Sequence, residues 1–340
     1  MPNRVMAVLT PLLVLAAAHV ALGPPRRAGI DRDGAVDPDL RERLEQERPE
    51  LVMLGSSHLN CGFDPDQFTA LTGTKTVNFA TPGANTAWHF TVLKNCILPA
   101  RHHPKRLGIL FVDTDLAEPG LGTRGWFKQF IDRYATNDEP VLDQLAYYQA
   151  VSPLSRVLLR YSSLYQRRDQ VRDKFESEVK RAAFLARLPQ AHIDEFTRRL
   201  FADEKLADDL ATLRQLLAEE ERSRERFAKS VDRSFLPHLV RLAEQGGMQL
   251  FFVRLQVRRE IEGNATPEGL DEYMEELRAW LDARGIPLID TTGRAPLHVE
   301  HYAQGNHLTP EGMAVLTAWL ANTMEDMNAD GSGASHPSSR

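Results

Sequence analysis

Apolar residues fall in short blocks along this chain, and a glycine, a proline or a capping residue closes most of them. Leu51-Val-Met-Leu54 is a continuous apolar run ending on Gly55, the pattern of a strand buried on both faces. Thr76–Ala80 (TVNFA), Leu107–Val112 (LGILFV), Gln249–Leu255 (QLFFVRL) and Ile286–Ile289 read as four further strands. Helical patterns lie between them. Asp64 is placed to cap a short helix with Pro65 at its first position and Gly73 at its end. An amphipathic helix follows the loop Thr81-Pro-Gly-Ala-Asn85 and runs through Leu98, another stops at Gly246-Gly247, and Asp271–Arg284 precedes Gly285. Thr309 caps the last helix, with Pro310 at its start and Met313, Leu316, Leu320 and Met324 on one face. Strands alternating with helices of this length predict an α/β fold, a doubly wound, flavodoxin-like parallel sheet of five strands covered on both faces. Ligands of such sheets sit beyond the carboxyl ends of the strands, where the loops after strands one, two, three and five converge.

The alternation is interrupted twice. At the N-terminus, Val5–Leu22 carries no charge and Gly23-Pro-Pro25 stops it, so residues 1–23 read as a signal anchor in preference to a cleaved signal peptide. This places the main domain outside the cytoplasm, in the periplasm of a cell envelope, held to the membrane by one N-terminal helix. Residues 24–48 are polar and proline-bearing, a linker entering a charged helical turn. Between 118 and 233 the pattern turns charge-dense and helical, with stripes such as Val171/Phe175/Val179 and Leu206/Leu210/Leu213/Leu217, and reads as a helical insertion. That leaves 49–117 and 234–327 as the α/β domain and 328–340 as a disordered tail.

Composition excludes several function classes. A net charge of -6 over 340 residues gives no basis for nucleic-acid binding. Two cysteines, Cys61 and Cys96, make neither a disulfide framework nor a metal knuckle and read as free thiols. His298-Val-Glu-His301 lacks the spacing of a zinc-binding helix, so neither a metal nor a cofactor is expected.

The first strand leaves the sheet through Gly55-Ser-Ser-His58, and a plain turn gains little from two serines and a histidine. A strand that delivers a serine to the rim of a sheet is how several hydrolase folds expose a nucleophile. Late in the chain, Tyr302-Ala-Gln-Gly-Asn-His307 precedes the Thr309 cap, which puts His307 on the edge reached by Ser57. An early serine, a late histidine and a parallel sheet between them resemble the SGNH (GDSL-type) hydrolase superfamily. The resemblance rests on Leu54-Gly-Ser-Ser57, on Asn78-Phe-Ala-Thr-Pro-Gly-Ala-Asn85 and on His307-Leu-Thr-Pro-Glu-Gly312, which is close to the family's His-Leu-Asn-x-x-Gly. It implies Ser57 as nucleophile, His307 as base and the N–H groups of Ser57 and Gly83 as oxyanion donors. The subgroup it looks most like is anchored outside the cytoplasm, and some members accompany membrane-bound O-acyltransferases.

Two positions depart from the family. Its Asp three residues before the histidine is here Gln304, so Glu300, Asp290 or Asp113 would have to orient the ring, Glu300 first, or the pair works as a dyad. Its Gly-x-Asn-Asp block is here Val112-Asp-Thr-Asp115, and since an acidic group cannot donate to an oxyanion, Asn85 becomes the candidate side-chain donor. His58 is expected to point away from the nucleophile. Two function classes follow. One is a Ser/His esterase or O-acyltransferase acting on an exported polysaccharide or other cell-envelope ester. The other is a degenerate relative that binds a polymer or a membrane O-acyltransferase.

Overall fold

The five apolar runs pair into one parallel sheet in the computed structural model, which describes residues 38–117, 134–136, 139–146, 177, 181, 227–263, 267–303 and 305–332. Its strands are β1 (Leu51–Gly55), β2 (Thr76–Ala80), β3 (Arg106–Phe111), β4 (Gln249–Arg254) and β5 (Leu288–Asp290), in the spatial order β2-β1-β3-β4-β5. This is the doubly wound order, with its switch point between β1 and β3. All five residues of β1 are buried, as a central parallel strand requires. Gly108 of β3 lies between Met53 and Phe251 of the flanking strands. A Cβ there would overlap Met53 Sδ and lie 2.5 Å from Phe251 Cζ, so the sheet's centre closes only around a glycine.

β5 begins later than the apolar pattern predicts, for a local reason. The Ile286 N–H closes the preceding helix on the Leu281 carbonyl at 3.1 Å. Pro287 has no N–H, and its carbonyl takes the Phe252 N–H at 2.9 Å.

The helices are α1 (Pro38–Glu47), α2 (Ser57–Gly62), α3 (Pro65–Thr72), α4 (Thr86–Val92, continued by a π turn over Leu93–Ile97), α5 (Pro140–Leu145), α6 (Phe227–Ser230), α7 (Leu236–Gln245), α8 (Arg258–Ile261), α9 (Leu270–Asp282) and α10 (Pro310–Ser332). Capping follows the sequence. Asp64 Oδ1 accepts from the Asp66 and Gln67 N–H groups ahead of α3, and Gly73 ends it at φ 68°. Thr309 Oγ1 accepts the Gly312 N–H at 3.1 Å at the start of α10.

The chain divides into two compact units, Ala35–Pro119 with Arg222–Arg340, and Met1–Gly34 with Gly120–Glu221. The first holds the sheet; of the second, the described residues include α5. The charged helical turn expected at the end of the linker is a helix, Pro38–Glu47, with Leu44 fully buried. Two boundaries shift from the sequence reading. Residues 227–233, assigned to the insertion, join the sheet unit, where Phe227 packs edge-on against Tyr273 and Trp280 of α9 with ring centres 5.3 and 6.0 Å apart. The supposed tail is helical as far as Ser332. The signal anchor (1–23) and nearly all of the insertion lie outside the described residues, and among the described residues no helix is long and apolar enough to cross a membrane.

Two expectations follow from the packing. A Cβ on Gly312 would overlap the His301 carbonyl oxygen and lie 2.9 Å from His301 Cβ. Gly312→Ala should therefore cost roughly 1–3 kcal/mol of stability, read as a lower midpoint in denaturant at unchanged slope.

His89, on the fully buried α4, has neither ring nitrogen hydrogen-bonded among the described residues, and burial pushes its pKa down to about 3. Below the unfolded value of 6.5 the unfolded chain takes up a proton that the folded chain refuses. Stability should fall by about 1.4 kcal/mol per pH unit from this group as pH drops from 6.5 toward 3, and His89→Leu should flatten that slope in unfolding curves across the window.

Candidate active site

Ser57 reaches the sheet edge through a close backbone approach. A Cβ on Gly55 would lie 2.5 Å from Leu59 Cβ, so only glycine lets the chain fold back from β1 into α2. Ser56 caps that helix from an extended backbone, its Oγ accepting the His58 N–H at 3.4 Å. The sequence reading placed a loop here, because six residues carry no helical stripe. Ser57 is the helix's first residue and half-buried, and its N–H has no acceptor among the described residues.

His307 is held by its own loop. Tyr302 and Leu308 form an antiparallel bridge, the Ala303 N–H donates to the His307 carbonyl at 2.8 Å, and the Thr309 N–H donates to the His301 carbonyl at 2.8 Å. Leu308 is in the core, and the Tyr302 hydroxyl, its pKa raised by burial, donates to the Gln256 carbonyl at 2.6 Å. Asn306 Oδ1 accepts the Arg258 N–H at 3.3 Å, tying the loop to α8. Across 250 residues of sequence, His307 Nε2 lies 2.9 Å from Ser57 Oγ. With the serine donating, the ring proton sits on Nδ1.

His58 does not point away. Its ring lies flat on that of His307, centres 4.9 Å apart and planes 8° from parallel, with its Nδ1 3.1 Å from Ser56 Oγ. Burial first, then the neighbouring His307, lowers the His58 pKa, and Asp113 opposes them. Asp113, two residues past the end of β3, has φ 46°, an uncommon backbone state for a non-glycine, and its Oδ1 takes a hydrogen bond from Arg259 Nη2 at 2.5 Å. Arg259 rides on α8, whose Glu260 binds the buried Arg254 and accepts the Val257 N–H at 3.0 Å. Ser56, His58 and Arg259 were not assigned from sequence. Only Ser56, a capping residue just after a strand, carried a local signal.

The remaining candidates divide. Thr81-Pro-Gly-Ala84 makes a turn closed by the Ala84 N–H on the Thr81 carbonyl at 2.9 Å, with Pro82 second and Gly83 third at φ 72°, the type II pattern. The Gly83 N–H, like that of Ser57, has no acceptor among the described residues. Thr81 donates its N–H to the Gly55 carbonyl at 3.3 Å, which anchors this turn to the end of β1. Asn85 caps α4, its Oδ1 accepting the Trp88 N–H at 3.2 Å. Glu300 is exposed and makes no hydrogen bond or ion pair among the described residues, so the expectation that it orients His307 is not met there. Asp290 is taken up by Arg254 and Arg278, and Gln304 lies outside the described residues. Of the histidines weighed for metal, His301 Nδ1 accepts the His298 N–H at 3.0 Å. Cys61 and Cys96 are free thiols.

No protein-family model matches the sequence, and no curated protein matches it. Solved structures show a distant likeness. A Bacteroides fragilis protein classed as an acylhydrolase shares 11% identity over 84% of this chain and 96% of its own, at a TM-score of 0.40. A GDSL-like lipase from Bacteroides thetaiotaomicron shares 9% over 83% of this chain and 90% of its own, at 0.38. A protein from Slackia heliotrinireducens classed as an SGNH hydrolase shares 13% over 81% of this chain and 97% of its own, at 0.36. Likeness at these scores carries no argument about what this chain does.

Because Glu300 is exposed and makes no hydrogen bond or ion pair among the described residues, Glu300→Gln should leave the rate of Ser57 labelling by a serine-directed fluorophosphonate within about twofold of the parent. A larger fall would restore Glu300 as the group that orients His307.

Proposed function

We propose that the protein is an acyl-transfer enzyme of the SGNH type, an esterase or O-acyltransferase acting on an exported polysaccharide or other cell-envelope ester. The observation that carries this reading is the 2.9 Å contact between His307 Nε2 and Ser57 Oγ. That distance is within the range proton transfer needs, and neither group is sealed from solvent.

Ser57 Oγ attacks the ester carbonyl while its proton passes to His307 Nε2. The negative charge that develops on the carbonyl oxygen is met by the N–H groups of Ser57 and Gly83, both without an acceptor among the described residues, and by the Asn85 amide nitrogen. Collapse breaks the carbonyl carbon–oxygen bond, and His307 returns the proton to the leaving alcohol. Water or a sugar hydroxyl then attacks the acyl-Ser57 ester with His307 again as base, which regenerates the free serine. Water gives hydrolysis and a sugar gives transfer. Gln304, at the position where the family has an aspartate, provides no negative charge for the imidazolium. In the serine-protease triad the comparable loss costs roughly 10⁴ in turnover.

The uncharged run Val5–Leu22 supports a site of action outside the cytoplasm and, with it, a membrane O-acyltransferase as the partner that delivers the acyl group. Gln304 also favours a second reading, a relative that keeps the fold to bind acylated polymer without turning it over.

One assay separates the two readings. Purified protein should hydrolyse a small acetyl ester and take a fluorophosphonate on Ser57, and Ser57→Ala or His307→Ala should lower turnover by about 10³-fold or more. Wild-type protein that is folded yet neither labelled nor active would leave only the binding reading.

A further inference from the structure

The stack of two histidines is not used by the Ser57–His307 pair as such, yet it lays one ring against the face of the proposed base. We propose that His58 is a positioning residue for His307: its ring face fixes the plane in which Nε2 meets Ser57 Oγ and supports the charge that His307 takes up with the serine proton. The proposal rests on the Ser57–His307 reading above and deepens it.

Three observations carry it. First, the two rings are nearly coplanar in orientation, 8° apart with centres at 4.9 Å, so rotation of His307 about its outer bond would drive its edge into the His58 face. Second, His58 is itself fixed. It sits one residue after Ser57 on the same helix, and Ser56 accepts its backbone N–H while lying 3.1 Å from its Nδ1. With the Ser56 hydroxyl proton directed at Nδ1, the His58 ring proton is on Nε2 and the ring is neutral. Third, its surroundings favour the neutral ring. Burial first and His307 next lower the His58 pKa, and Asp113, itself bound by Arg259 at 2.5 Å, opposes them.

A neutral aromatic face beside an imidazolium is attractive, and that attraction exists only after the proton has moved. It is therefore stronger in the transition state than in the resting pair, which is the condition for it to accelerate the step. In a triad the carboxylate both orients and offsets the charge of the base. Here position 304 is glutamine, Glu300 is exposed, and Asp290 is held by two arginines. The stacked ring supplies orientation from the face of His307.

The test compares His58→Phe, which keeps a flat neutral face, with His58→Ala, which removes it, after thermal unfolding shows that both variants are folded. On a small acetyl ester, His58→Ala should lose roughly 10- to 100-fold in kcat with KM within about twofold, and His58→Phe should recover to within about fivefold of the parent. The pH–rate profile of His58→Phe should keep the shape of the parent's, because His307 is the ring that titrates in the reaction. Loss of the acidic limb in that variant would make His58 the base and overturn the proposal. So would equal damage from Phe and Ala, or no damage from Ala. Crystal structures of the two variants give a readout that needs no turnover. The His307 ring should stay on Ser57 in His58→Phe and leave that orientation in His58→Ala, and an unmoved ring in His58→Ala overturns the proposal. Ser57→Ala is the control for the underlying reading. If it retains full ester hydrolysis, the acyl-transfer assignment fails, while the ring orientations still decide whether His58 positions His307.

Discussion

Two backbone approaches too close for a side chain hold the site together. At Gly55 the chain leaves β1 and turns directly into α2 over Leu59; at Gly312 the first turn of α10 rests on the backbone of His301. Each fixes one partner of the Ser57–His307 contact to the same core, since Leu59, Leu308 and Leu316 belong to one apolar cluster with β1 and β4. The contact itself is a single hydrogen bond, worth little against the entropy of ordering two loops. Its geometry is a consequence of packing. The side chains meet because the elements that carry them are placed by buried hydrophobic surface, and a substitution at either glycine acts on the site by moving a helix.

The charged groups on this edge form a second layer with a different task. Arg254 is buried with Glu260 and Asp290, and removing one partner of such a set leaves an uncompensated charge in a poorly solvated place. Glu260 also accepts the Val257 N–H, so the same ion pair fixes the start of α8. From α8, Arg259 reaches Asp113 and the Arg258 N–H reaches Asn306 beside His307. Arg259 therefore pairs with the carboxylate that acts on His58. That keeps Asp113 from holding His58 protonated, and its net shift is downward in spite of that carboxylate.

Much of this was legible in the sequence, and what was not has a physical cause. Continuous apolar runs marked β1, β3 and β4, because a strand buried on both faces has no polar alternation to confuse it with a loop. Asp64-Pro65 and Thr309-Pro310 marked two helix starts through chemistry local to the cap. The Ser57–His307 pairing could be placed on one edge from topology alone. The orientation of His58 could not. It depends on Ser57 opening a helix, and a six-residue helix shows no periodicity over which a stripe can be counted. Arg259 and Asp113 are 146 residues apart and sit on elements that only the folded sheet brings together. Glu300 was chosen for nearness in sequence to Gln304, but a 3₁₀ turn over Val299–His301 leaves it facing solvent.

The balance between hydrolysis and transfer does not turn on the strength of the base. In the proposed reaction both outcomes pass through the same acyl-Ser57 ester, and both use His307 to deprotonate the incoming hydroxyl. A change in the base therefore slows the two alike. What separates them is the effective concentration of the acceptor, and a hydroxyl held in line at the ester can reach effective molarities of roughly 10⁵ M or more, against about 55 M for water. A weak base coupled to a good acceptor site gives a slow hydrolase and a useful transferase. In such an enzyme, loss of acceptor binding would leave the small background hydrolysis intact, whereas loss of Ser57 would remove both.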